Sequence, residues 1–136
     1  MVVDASVVVS RLLPHDAHHE ASRRWLARHV AQGGLLIAPA LLLPEVAGAI
    51  ARRTGEPRLA SRAILAILRL PGLRLVPVDD VLARKAATLA SQFRVRGADA
   101  LYIAAAAALR VPLVTWDVEQ RDRATAVVEV LVPEGE

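Results

Sequence analysis

Asp4, Glu45, Asp99 and Asp117 are the residues of this chain whose type and placement could do chemistry. Each stands where an apolar strand ends or an apolar helix begins, the position at which an α/β sheet builds an active site. Two of the joints are clearest: Met1-Val2-Val3-Asp4-Ala5-Ser6 and Leu113-Val114-Thr115-Trp116-Asp117 are short aliphatic runs that finish in an acid with a hydroxyl two residues away. Carboxylates gathered in one crevice repel each other, and without a counter-charge some must take up protons. A divalent cation resolves the conflict. With oxygen-only donors, no cysteine and no well-placed histidine, Mg²⁺ or Mn²⁺ suits the set better than Zn²⁺. Such ions share their coordination with phosphate, lower the pKa of bound water and steady charge on phosphorus, so the natural reaction is metal-assisted phosphodiester hydrolysis.

Each acid also has a local explanation. Asp4 could end a strand in a turn, Asp99 could cap a helix, Asp117 could start an Asx-turn, and Glu45 could simply favour a helix N-terminus. Those explanations do not require the four to meet; the chemical one does. Ser6 and Thr115 either cap locally or orient bound water and an acid through their hydroxyls.

The elements that must bring the acids together are legible as alternating patterns. Aliphatic runs of strand length occur at Met1–Ala5, Leu35–Ala38, Leu73–Val78, Pro112–Trp116 and Val127–Val132. Between them, 3.6-residue periodicity predicts helices over Asp16–Val30, Leu41–Arg53 and Leu59–Leu70, and a further one capped by Asp79 or Asp80 with Leu82, Ala86, Leu89 and Phe93 on one face. Ala98–Leu109 is apolar around its whole circumference apart from Asp99 and Tyr102, so a helix there is buried on most sides, and Ala104 to Ala108 allow it close to a sheet. Strands alternating with helices imply an α/β fold with a mainly parallel five-stranded sheet, helices covering both faces. Right-handed crossovers from a central first strand then make the first and fourth strands neighbours. Asp4 and Asp117 share a crevice in that arrangement, with Glu45 and Asp99 leaning in.

Composition narrows the class further. The chain has 136 residues, 54% hydrophobic and 23% charged, enough for one domain spanning 1–136 with a core of Leu, Val, Ile and Ala. There is no Cys, which removes disulfides, thiolate metal sites and a cysteine nucleophile. No basic segment followed by an apolar stretch and cleavage site opens the chain, and the longest uncharged window, Val30 to Pro44, is too short to span a bilayer. The expectation is a soluble cytoplasmic protein with no membrane partner. Net charge is +3 and Lys85 is the single lysine, so the cationic groups are almost all guanidinium forks that match phosphate oxygens in pairs. Arg11, Arg94, Arg96, Arg121 and Arg123 lie near the acidic joints and are candidates for holding RNA phosphates, with surface solvation as the alternative.

Other clusters do not build a site. His15, Asp16, His18, His19 and Glu20 look like metal ligands, but HExxH spacing is absent and the stretch opens a helix. Neither GxGxxG nor GxxxxGK[ST] occurs, which argues against dinucleotide and P-loop sites.

In order and spacing, four segments resemble the PIN-domain ribonucleases, and among them the VapC-type toxins of toxin–antitoxin pairs. They are Val2-Val3-Asp4-Ala5-Ser6, Pro44-Glu45-Val46-Ala47, Arg96-Gly97-Ala98-Asp99-Ala100-Leu101-Tyr102-Ile103-Ala104 and Leu113-Val114-Thr115-Trp116-Asp117. The resemblance covers essentially the whole chain. It implies a PIN-like three-layer α/β/α fold and a Mg²⁺- or Mn²⁺-dependent endoribonuclease that leaves a 5′-phosphate and a 3′-hydroxyl on a tRNA or rRNA class of target. It also implies neutralisation by a cognate antitoxin, a homodimer, Asp4, Glu45, Asp99 and Asp117 as metal-binding acids, and Ser6 and Thr115 as supporting hydroxyls. Two positions depart from the family. Gly48 stands where an Asn is common, and Trp116 where the residue is usually small; a ring at the crevice mouth either stacks on a base or packs.

Two rivals come from other classes. A PIN-like module that binds RNA or protein without cutting is opposed by the presence of all four acids. A phosphoacceptor receiver domain would need an acidic pair after the first strand and a lysine after the last, and neither is present.

Overall fold

Local sequence signals set where most elements begin and end. The computed structural model describes residues 1–134; residues 135 and 136, which end the expected domain, lie outside the described residues. In chain order the elements are β1 (Val2–Val3), α1 (Ala5–Leu12), α2 (His19–Ala31), β2 (Leu36–Pro39), α3 (Leu42–Thr54), α4 (Pro57–Leu68), β3 (Leu73–Val76), α5 (Asp80–Phe93), α6 (Gly97–Leu109), β4 (Leu113–Val114), α7 (Val118–Ala124) and β5 (Val130–Leu131). Pro57 opens α4 at a position where its missing N–H costs nothing. Asp79 caps α5 by accepting from Leu82 N at 2.8 Å, and Gly55, at φ +71°, ends α3 in the left-handed region.

The strands form one sheet in the order β3-β2-β1-β4-β5, every neighbouring pair parallel. β1 is central, with Val2 opposite Ile37 on one side and Leu113 on the other, so the first and fourth strands are neighbours as the crossover argument expects. Val2, Val3, Leu36, Leu113 and Val114 are fully buried, which suits a parallel sheet covered on both faces. Gly72 shows how tightly β2 and β3 begin together. A Cβ there would lie 2.6 Å from the Gly34 carbonyl oxygen, and its φ of +78° favours glycine independently.

Helix α6 lies against β1, β2 and β4, as its all-round apolar sequence suggests. Tyr102 and Ala104 to Ala106 are buried, and small alanines permit the close approach. The burial stops short of the expected extent, because Ala108 is exposed and Leu109 is 46% exposed.

Two short helices depart from the sequence expectation. Met1–Ala5 is not all strand: β1 ends at Val3, Asp4 turns the chain, and α1 starts at Ala5. Val7, Val8 and Val9 look like strand residues because they are β-branched, yet all three are buried in the helix, so tertiary burial overrides propensity. Helix α7 follows Asp117 in the same way, and only Val130–Leu131 of the expected Val127–Val132 strand pairs. Boundaries also move in α2, which starts at His19 because Asp16 Oδ1 accepts from His18 N at 2.8 Å and holds a turn. Strand β3 stops at Val76 instead of Val78, and α4 runs from Pro57 to Leu68 instead of Leu59 to Leu70. Among the described residues, no helix is long and apolar enough to cross a membrane.

Candidate acidic site

Asp4 leaves the buried end of β1 and becomes the N-cap of α1. It is 5% exposed. Its Oδ2 accepts from Ser6 N at 3.0 Å and from the Thr115 hydroxyl at 3.2 Å, while Oδ1 accepts from Gln120 Nε2 at 3.4 Å. Across the β1–β4 pair, Asp117 caps α7 in the same fashion, with Oδ1 accepting from Gln120 N at 2.8 Å. The capping and chemical explanations of these two acids are therefore compatible. In Asp117 one carboxylate oxygen closes a helix, and the other, Oδ2, faces Arg96 at 3.5 Å.

A chain of hydroxyls ties the two joints together. Trp116 N donates to Ser6 Oγ at 3.0 Å, Ser6 Oγ lies 3.3 Å from Thr115 Oγ1, and Asp117 N donates to Thr115 Oγ1 at 3.0 Å. A threonine hydroxyl has one proton, and here it goes to Asp4, so Ser6 is the donor to Thr115. Both hydroxyls anticipated from the sequence thus hold the acids in orientation.

Asp99 lies in the first turn of α6 and Glu45 in that of α3, where the helix dipole favours negative charge. Burial and the charges of Asp4, Asp117 and Glu45 push the Asp99 carboxyl up to about 6, with Arg96 opposing them. Burial, followed by the Asp4 charge, raises Glu45 too, and the neighbouring Tyr102 phenol opposes that rise. Burial and these acids raise Tyr102 in turn, which keeps the phenol neutral. Glu45 Oε1, Tyr102 Oη and Gln120 Oε1 are buried without a hydrogen-bond partner.

Asp99 thus feels the charges of the other three acids, and Glu45 feels that of Asp4. Among the described residues, no three His, Cys, Asp or Glu side chains form a ready-made grip on a metal ion. Arg96 stands in the acids' company instead, with Nε 3.4 Å from Asp99 Oδ2 and Nη2 3.9 Å from Glu119 Oε2. The donor chemistry still fits a hard divalent cation. Every candidate donor atom is a carboxylate oxygen, the other three acids oppose the charge on Asp99, and Glu45 Oε1 is buried without a hydrogen-bond partner.

Gln120 was not anticipated from the sequence. It is buried, and its amide meets both Asp4 and, at 3.5 Å, the Asp99 carbonyl. Its place three residues beyond Asp117 is a capping spacing, but which acid it meets depends on the fold. Trp116 has partners within the protein: its Nε1 donates to Ser22 Oγ at 2.7 Å and its ring stacks on His18 at 3.9 Å, which favours the packing role. The histidine-rich stretch is structural as well, since His19 Nδ1 contacts Ser10 O at 3.0 Å and Asp16 pairs with Arg53 at 2.8 Å. Gly48 lies under the Arg52 guanidinium.

The candidate phosphate-binding arginines divide. Arg123 donates to Phe93 O and Arg94 O and pairs with Glu119, and Arg96 faces the acids. Arg94 ends α5 at φ 56°.

A family model described as PIN domain matches residues 1–126. No curated protein matches the chain. Among solved structures it is similar to VapC20 of Mycobacterium tuberculosis, a sarcin-ricin loop cleaving toxin, with TM-score 0.75 and 23% identity over 95% of this chain and 97% of that one. It is also similar to FitAcB from Neisseria gonorrhoeae, with TM-score 0.71 and 20% identity over 97% and 96% of the two chains. VapBC2 from Rickettsia felis, bound to a promoter DNA fragment, gives TM-score 0.73 and 12% identity over 96% of each chain. At such identities the likeness is one of fold.

Proposed function

The chain belongs to the PIN-domain family, and we propose that within it this protein is a metal-dependent endoribonuclease toxin, a single cytoplasmic domain neutralised by a cognate antitoxin. The observation that carries the reading is the setting of Asp99, whose carboxyl is pushed up to about 6 by burial first and then by the charges of Asp4, Asp117 and Glu45, against the pull of Arg96. Asp4, Glu45, Asp99 and Asp117 would hold Mg²⁺ or Mn²⁺, which when bound supplies a Lewis acid for the phosphodiester and lowers the pKa of water. Thr115, Ser6 and Gln120 keep Asp4 in one orientation, and the α7 cap does the same for Asp117. Asp99 would hold such an ion as the carboxylate, so the affinity for it should strengthen as pH rises through about 6.

Support for the partners comes from likeness. VapC20 is a sarcin-ricin loop cleaving toxin, which favours a tRNA or rRNA class of target here. A toxin-antitoxin complex from Klebsiella pneumoniae has TM-score 0.71 to this chain, which favours an antitoxin partner, and a homodimer is the family expectation.

Asp4→Asn or Asp117→Asn tests the reading. Each keeps a capping oxygen, so thermal unfolding stays nearly unchanged, while RNA cleavage falls by at least about 100-fold, more than loss of a residue that merely supports a ligand. Full activity in either variant would refute the assigned roles. The ion pairs of Arg96 favour a second reading, an inert module whose acids are neutralised internally. Calorimetric titration with Mn²⁺ separates the two, because the inert module shows no saturable binding that depends on the acids.

A further inference from the structure

Arg96 contacts the acid cluster from its solvent side. Nε lies 3.4 Å from Asp99 Oδ2, and Nη2 lies 3.5 Å from Asp117 Oδ2 and 3.9 Å from Glu119 Oε2. The guanidinium thus takes up oxygens of two acids assigned above to a divalent cation. Among the described residues nothing else anchors its side chain. Arg96 is the N-cap of α6 but makes no side-chain capping bond, its side chain is 69% exposed, and the following Gly97 has open space above it. Exposed ion pairs of this kind are weak. Such a group can neutralise an acidic cluster and still be displaced.

We propose that Arg96 is the cluster's internal counter-ion, holding Asp99 and Asp117 in the metal-free protein and giving way when a divalent cation enters. This rests on the reading that the acids bind metal. Its physical content is competition: two cationic groups cannot share the same carboxylate oxygens, so Arg96 weakens the apparent affinity for metal and relieves repulsion without it.

Calorimetric titration of Mn²⁺ into the metal-free wild type, Arg96→Gln and Arg96→Lys tests this. Arg96→Gln keeps much of the side-chain stem and removes the charge. At low salt it should bind Mn²⁺ about 3- to 10-fold more tightly than wild type, the size expected from losing weak exposed pairs. Arg96→Lys should stay near wild type, and the gap should narrow as salt screens the charges. Melting gives an independent readout: in EDTA, Arg96→Gln should unfold at a lower temperature than wild type, and saturating Mn²⁺ should bring the two together. Equal or weaker Mn²⁺ binding by Arg96→Gln, with wild type still binding, overturns the counter-ion role and leaves the nuclease reading standing. A melting gap that persists in Mn²⁺ overturns it as well. Absence of saturable binding in every protein overturns both readings.

Discussion

Two hydroxyl relays start from Trp116 and end in opposite ways. The indole Nε1 donates to Ser22, Ser22 lies 2.7 Å from Ser10, and Ser10 donates to the Val7 carbonyl at 3.0 Å. The Trp116 backbone N–H leads instead through Ser6 and Thr115 to the Asp4 carboxylate. The first relay is neutral, and each donor along it has an acceptor. The second ends in a cluster where burial and neighbouring acids raise the pKa of Asp99 and Glu45, and three buried polar atoms have no hydrogen-bond partner. A satisfied buried network stabilises a fold; an unsatisfied one costs stability until something binds.

The largest test of that contrast is pH. The Asp99 carboxyl is pushed up to about 6 from an ordinary 3.8, so between those values the native state binds more protons than the unfolded chain. Stability of the metal-free protein therefore falls as pH rises through that interval, by at most about 3 kcal/mol from Asp99. Glu45 is shifted in the same direction. Urea unfolding of wild type and Asp99→Asn from pH 4 to 7 should show a fall in the first that is much reduced in the second. Saturating Mn²⁺ should remove the difference, and parallel profiles would break the contrast.

Ser22→Ala probes the satisfied relay. It strands the Trp116 indole N–H in a partly buried setting and should cost about 1–3 kcal/mol of unfolding free energy, with Mn²⁺ affinity unchanged. The smallest effect is at Tyr102. Its phenol opposes the upward shift of the buried Glu45 carboxyl, so Tyr102→Phe should lower the stability of the metal-free protein at neutral pH by up to about 1 kcal/mol. An unchanged or higher stability would show that the phenol does nothing for Glu45, and the difference between the relays would grow.

Much of this architecture was legible because burial leaves a periodic record along the chain. The α6 segment could be recognised from an apolar circumference, α5 from a capping Asp79 and a one-sided stripe, and the sheet order from alternating elements with right-handed crossovers. Helices α1 and α7 escaped because they are short and their residues mislead: Val7 to Val9 favour strands, and α7 carries Glu119, Arg121, Asp122 and Arg123 within seven residues. Both begin at an acid that was recognised for chemistry, and the same carboxylates serve as caps.

By itself, the sequence determined which acids stand at the ends of which elements, because strand and helix patterns are local and each joint is written in consecutive residues. Only the tertiary structure decided that Gln120 meets Asp4, that Arg96 faces Asp99 and Asp117, and that Trp116 turns its ring to Ser22 and His18. Those pairings join segments far apart in the chain. Their energies come from burial and from charges summed in space, quantities that acquire values only once the sheet has set β1 beside β4.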